Sequence, residues 1–194
     1  MSAPSIVLAS TSRYRAELLQ RLRLAFSQRA PGTDEAALAG EPPSARALRL
    51  AKAKAEAAAT GLDHALVIGS DQVAELDGLV LDKPGSIQRA QTQLIACSGR
   101  AVVFHTGLCV LDTRTGQSHL HLDQTRVHFR ELEATEIERY VAAEQPLDCA
   151  GSFKCEGLGI SLFERIDNDD PTALIGLPLI ALARLLRQCA VTLP

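Results

Sequence analysis

The sequence predicts a mixed α/β (α+β) fold in which helices flank a mixed β-sheet, and three observations carry that prediction. Apolar runs of strand length, Ser5–Ala9 and Ala65–Ile68, alternate with helical patterns. Ala101–Leu111 and Gln117–Phe129 read as two antiparallel strands joined through the turn-rich Asp112–Gly116. Parallel and antiparallel strands in one chain require a mixed sheet.

Each element has a local reason. Ser5–Ala9 is a first strand, followed by Ser10, Thr11 and Ser12 and then by a helix with Leu18, Leu19 and Leu22 on one face. Pro42–Thr60 is an Ala-rich helix with prolines at its start and Gly61 at its end. Ala65–Ile68 has the composition of a buried strand, and Asp77-Gly78 closes a hairpin-like excursion after it. Ser86–Cys97 is a helix stopped by Ser98-Gly99, and Thr135 with Glu138 makes a capping-box pattern for a helix over Thr135–Ala143. A glycine-rich loop leads to a strand near Gly159–Arg165, and the last helix starts around Pro178, with Leu182, Leu185 and Leu186 together.

Composition bounds the function. A chain of 194 residues suits one domain, or two lobes, and its net charge of −3 gives no broad basic field for nucleic acid. The first residues lack the pattern of a signal peptide, and no apolar run reaches the length of a membrane span. Five cysteines, odd in number and never in Cys-x-x-Cys, read as reduced thiols of a cytoplasmic protein.

Two stretches carry chemistry. Asp71 is expected just past the carboxyl end of a central strand, where open α/β sheets bind ligands, and Lys83 follows the Asp77-Gly78 turn. A carboxylate and an ammonium returned to one rim suit metal-assisted chemistry on a phosphate; a strand end with a solvated Asp and Lys is the ordinary alternative. Ser10-Thr-Ser12 between a strand and a helix N-terminus makes an anion site, to which Arg13 and Arg15 add charge and Arg15 a bidentate fork for phosphate; taken alone, such a turn is ordinarily just an N-cap. Neither a P-loop nor a Gly-x-Gly-x-x-Gly dinucleotide motif is present. His119 and His121 share a strand face but have no third ligand nearby in sequence, so a polar strand face is favoured. Asp167–Asp170 lacks the glycine and terminal glutamate of a calcium loop and reads as a solvated turn before Pro171.

The ordered set Leu8-Ala-Ser-Thr-Ser-Arg-Tyr-Arg15, Asp34-Glu35, Arg49-Leu-Ala-Lys-Ala-Lys-Ala55, Ile68-Gly-Ser-Asp-Gln72, Lys83-Pro84, Ser98-Gly-Arg100, Ala150-Gly-Ser-Phe-Lys-Cys-Glu-Gly157 and Gly176-Leu-Pro178 resembles the Maf nucleotide pyrophosphatases across residues 5 to 190. Gly-Ser-Asp-Gln and Gly-Ser-Phe-Lys-x-Glu-Gly resemble the branch acting on 7-methyl-GTP rather than the dTTP/UTP branch. The resemblance implies an elongated mixed sheet of the Maf/ITPase type, two lobes with a central cleft, and hydrolysis of a nucleoside triphosphate to monophosphate and pyrophosphate with Mg²⁺ or Mn²⁺. The implied partner is a small-molecule nucleotide, with no nucleic acid and no membrane, and a homodimer is left open.

It also implies roles. Asp71 is the proton acceptor and, with Glu35, a metal ligand. Lys54 and Lys83 are point charges for the phosphates, Arg-Leu-Ala-x-x-Lys-Ala spacing selecting Lys54 over Lys52. Ser10 and Arg15 belong to the phosphate turn. Methylation at N7 gives guanine a positive charge, which suits stacking on Tyr14 and the two oxygens of Glu156, with Gln72 and Lys154 in support. Two departures stand out: Arg13-Tyr14 replaces the family's usual proline-containing turn, and Asp82 precedes Lys83 where glycine is common. The competing functions are the same chemistry on dTTP or UTP and nucleotide-binding regulation of cell division.

Overall fold

The computed structural model describes residues 3–193. Its strands are β1 (Ser5–Leu8), β2 (Phe26–Gln28), β3 (Ala65–Leu76), β4 (Leu79–Val80), β5 (Ala101–Asp112), β6 (Ser118–Phe129) and β7 (Phe163–Asp167). They form one sheet ordered β2-β1-β3-β5-β6-β7, with β4 paired to β3. β1 is parallel to β2 and β3, whereas β3 with β4 and β6 with β7 are antiparallel, so the sheet is mixed as expected. The helices are α1 (Arg13–Gln20), α2 (Pro43–Ala59), α3 (Ile87–Cys97), α4 (Ala134–Glu144) and α5 (Leu179–Gln188). No helix among the described residues is long and apolar enough to cross a membrane.

The chain divides into two compact units. Among the described residues, the first comprises 3–71, 106–123 and 170–193. Side chains alternate across a strand, and here both faces are apolar. Ile6, Leu8, Leu66, Ile68, Leu108 and Val110 pack with Leu18 and Leu19 of α1 and Leu182 and Leu186 of α5. Val7, Val67 and Cys109 on the opposite face meet Ala51, Ala55 and Ala58 of α2. Two-sided burial explains why these strands read as unbroken apolar runs.

The alanine face of α2 allows an unusually close approach to the sheet, and two glycines complete it. A Cβ on Gly69 would stand 2.1 Å from the carbonyl oxygen of Ala51, and one on Gly107 2.3 Å from that of Ala47. Both contacts are with helix backbone, which cannot rotate away.

The second unit comprises Gln72–His105 and Gln124–Asp169. Phe104, Phe129, Phe153 and Phe163 form a chain of edge-to-face contacts with ring centroids 4.8–5.6 Å apart, the arrangement that aromatic quadrupoles favour. Leu94 and Cys97 of α3 and Ile137, Tyr140 and Val141 of α4 are buried in the same unit. The β3–β4 hairpin turns at Asp77 (φ 47°) and Gly78 (φ 85°), two left-handed residues of the kind a tight hairpin requires.

Four expectations change. β3 does not end at Ile68; it runs to Leu76, because Val73, Ala74 and Leu76 remain buried beyond the polar Gly69-Ser-Asp-Gln72 segment. α4 begins at Ala134 after Glu133, with no side-chain cap bond, so the Thr135–Glu138 box does not form. The strand expected at Gly159–Arg165 starts four residues later at Phe163, after a 3-10 turn over Leu158–Leu162. Asp170 is not a solvated turn residue: it is 3% exposed and accepts from the backbone N–H groups of Thr172, Ile180 and Ala181 and from the Thr172 hydroxyl. It caps α5 from outside the helix. The short β2 had no sequence signal.

Candidate active site

The close packing of α2 on β3 sets the first geometric fact of the site. Ala51 lies against Gly69; one helical turn further on, Lys54 reaches Asp71, two residues along the strand and on the same face. Lys54 Nζ donates to Asp71 Oδ1 at 2.6 Å. The same nitrogen is 2.6 Å from Glu35 Oε1. Lys54 and Asp71 are buried, while the Glu35 side chain is half open to solvent. Two carboxylates, one buried and one half open to solvent, therefore converge on one buried cation. Asp71 lies inside β3 rather than past its end, held by strand geometry instead of loop geometry.

Arg15 joins this cluster from α1. Its Nε donates to the carbonyl of Gly176 at 2.8 Å. Burial draws its pKa below the ordinary guanidinium value, against the opposing pull of the Asp71 and Glu35 carboxylates. An arginine remains protonated in this range, so the site carries two fixed cations among its carboxylates. The Ser70 hydroxyl shares its single proton between the Gly176 carbonyl at 2.9 Å and the Gly107 carbonyl at 2.8 Å. Gly176 sits at φ +115°, a conformation that penalises any side chain, and a Cβ there would come within 3.4 Å of Arg15 Nε. Ser70 and Gly176 thus position Arg15, and the sequence singled out neither for that task.

The hydroxyl turn is self-satisfied. Ser12 caps α1 by accepting from Arg15 N–H at 3.4 Å, and buried Ser10 accepts from Ser12 N–H at 3.1 Å. Ser10 O receives the Gln28 amide at 3.0 Å, which ties the turn to β2. Tyr14 is half-buried, and the Arg13 guanidinium lies over its ring, 4.8 Å from the centroid. Arg13, which had no assigned purpose in the sequence, therefore packs on the ring expected to stack a base.

The remaining expected residues belong to the second unit. Gln72 follows Asp71 on β3 and is half-buried; Lys83 is exposed on the segment after β4. Lys154 Nζ donates to Glu144 O at 3.1 Å and lies 3.8 Å from its carboxylate, which also accepts from Leu158 N–H at 2.9 Å. Glu144 thereby fixes the turn that presents the exposed Glu156. A buried His105, not anticipated, receives the Gln124 amide at Nδ1 (3.3 Å) and faces Glu75 through Nε2 (2.7 Å).

Chemically, the Glu35–Asp71 pair offers hard oxygen ligands to a divalent cation. Among the described residues no set of three or more His, Cys, Asp or Glu side chains gathers for a metal. Two carboxylates are the usual protein share for Mg²⁺, whose other ligands are waters and substrate phosphates. His121 fits such a role poorly, because Arg184 donates to its Nδ1 at 3.2 Å. Burial, then Arg184, hold the imidazole below its ordinary pKa.

The family model for Maf-like protein matches residues 5–189. The chain is 58% identical to a 7-methyl-GTP pyrophosphatase of Xanthomonas oryzae pv. oryzae over 192 residues, covering 98% of this chain and 100% of that protein. It is 57% identical to a protein of the same name from Burkholderia thailandensis, covering 96% of this chain and 88% of the relative. A Cupriavidus pinatubonensis protein, also so named, is 55% identical over 95% and 93% of the two chains. Among solved structures, the Staphylococcus aureus Ham1 protein superposes with a TM-score of 0.47 at 18% identity, over 66% of this chain and 72% of that one.

Proposed function

The chain belongs to the Maf family, and we propose that it hydrolyses 7-methyl-GTP to 7-methyl-GMP and pyrophosphate. The observation that carries this reading is the convergence of Glu35 and Asp71 on Lys54 beside Arg15, in a chain so similar to relatives bearing the name 7-methyl-GTP pyrophosphatase. A water oxygen attacks the α-phosphorus, its proton passes to Asp71, and the bond from the α-phosphorus to the bridging oxygen breaks to release pyrophosphate. Arg15, oriented by Gly176, stabilises negative charge on the equatorial oxygens through its planar fork. Lys54 and Lys83 are assigned to the triphosphate as point charges.

Mg²⁺ or Mn²⁺ held by Glu35 and Asp71 would supply charge neutralisation at the phosphates and orient the attacking water. Tyr14 stacks the cationic base, Glu156 accepts from the N1–H and exocyclic amine of guanine, and Gln72 and Lys154 support that contact. All five cysteines are free thiols, which suits a reducing cytoplasm.

The test is kcat/KM for 7-methyl-GTP, GTP, UTP and dTTP, with Mg²⁺, with Mn²⁺ and with chelator. Preference for 7-methyl-GTP and loss of activity with chelator support the reading. A preference for UTP or dTTP replaces the substrate while keeping the chemistry. Replacing Lys54 or Lys83 by Ala should lower all accepted nucleotides by similar factors, because the triphosphate is common to all.

A further inference from the structure

Lys54 occupies the position that the metal reading gives to a divalent ion. Its Nζ bonds Glu35 and Asp71 at the same distance, 2.6 Å. The helix that carries it lies close on the sheet, because Gly69 and Gly107 leave room for its backbone. The lysine side chain is only 8% exposed and that of Asp71 10%, so neither charge has bulk water as an alternative partner. A buried ammonium stripped of its counter-ions is strongly disfavoured.

We propose that Lys54 is the built-in cation of this site and that it couples metal binding to triphosphate binding. Before the two carboxylates can hold a divalent ion, Lys54 must leave them, and its ammonium then needs another anion. The nucleotide triphosphate is that anion. Metal affinity of the free protein is therefore suppressed by Lys54 and restored when a triphosphate draws the lysine aside. Linkage requires the reciprocal effect on nucleotide affinity. One residue thus serves two states: a counter-ion that prevents Glu35–Asp71 repulsion in the empty protein, and a phosphate ligand in the loaded one. The inference rests on Glu35 and Asp71 as the metal ligands, and it concerns binding rather than turnover.

The experiment is direct Mn²⁺ binding, by the loss of free-ion paramagnetic resonance signal, to the parent protein and to Lys54→Met and Lys54→Arg without nucleotide. Removing the positive charge should tighten Mn²⁺ binding by about tenfold or more, whereas the arginine variant, which keeps it, should bind as weakly as the parent. A non-hydrolysable triphosphate should strengthen Mn²⁺ binding in the parent beyond the affinity of Mn²⁺ for that nucleotide alone, and this excess should vanish in Lys54→Met. Lys54→Gln gives the same reading should the methionine variant fail to fold. Unchanged or weaker Mn²⁺ binding in the charge-removed variant overturns the proposal. Failure of the parent to hydrolyse 7-methyl-GTP would overturn the substrate assignment instead, and leaves this binding result unaffected.

Discussion

Lys54 and Asp71, separated by 17 residues in sequence, meet at 2.6 Å because Gly69, which has no Cβ, lets the backbone of helix α2 at Ala51 come up against strand β3. A small-residue contact and the ion pair of the candidate site are therefore one structural unit.

That dependence makes Gly69→Ala a sharp test. The added methyl meets Ala51 O at 2.1 Å and Ala55 N at 2.8 Å, so the helix must shift. Overpacking of this kind costs about 1–3 kcal/mol, which for a chain of this size lowers Tm by about 2–12 °C. Displacing Lys54 with the helix should also lower kcat by about 10²-fold. Thermal melting and steady-state kinetics on one preparation check both, and unchanged values in each would dissociate the glycine contact from the site.

The sequence made the fold class and the order of elements legible, since α2, α3, β5 and β6 lie within a residue or so of their expected bounds. Their signals are local: prolines and Gly61 around α2, Ser98-Gly99 after α3, alternating or continuous apolar runs in the strands. What escaped depends on contacts distant in sequence. β3 extends through Gly69–Gln72 because Val73, Ala74 and Leu76 beyond it are buried in the folded chain, and nothing local marks a polar stretch as strand. The capping box at Thr135 and Glu138 was a correct pattern that the chain did not use. The candidate site was legible as residue types, Asp71, Lys54, Glu35 and Arg15, but the carbonyl of Gly176 that orients Arg15 lies 161 residues away.

Asp170 supplies a second stability prediction. Its carboxylate binds Ile180 N–H at 2.7 Å and Thr172 Oγ1 at 2.7 Å, satisfying the first turn of α5. Asp170→Ala should destabilise the protein by about 0.5–2 kcal/mol, and Asp170→Asn, which retains a cap oxygen, by less. Equal loss in the two variants, measured by urea denaturation, would show that the charge rather than the cap matters.

The His121 imidazole titrates below its ordinary value of 6.5, through burial first and the Arg184 guanidinium second. A folded state that excludes a proton which the unfolded chain accepts is fully favoured above the unfolded pKa. That contribution is lost as pH falls through 6.5 towards the folded value. Arg184→Gln should move the His121 midpoint up, read by NMR titration of the ring. An unmoved midpoint would leave burial as its sole cause.

The central claim, water attack on the α-phosphorus with Asp71 as base, is tested most directly by running the reaction on 7-methyl-GTP in heavy-oxygen water and locating the label. The parent should place it in 7-methyl-GMP and release unlabelled pyrophosphate, and Asp71→Asn should slow that turnover by about 10²–10⁴. Label in the pyrophosphate, orthophosphate as the first product, or near-parental turnover in Asp71→Asn would contradict it.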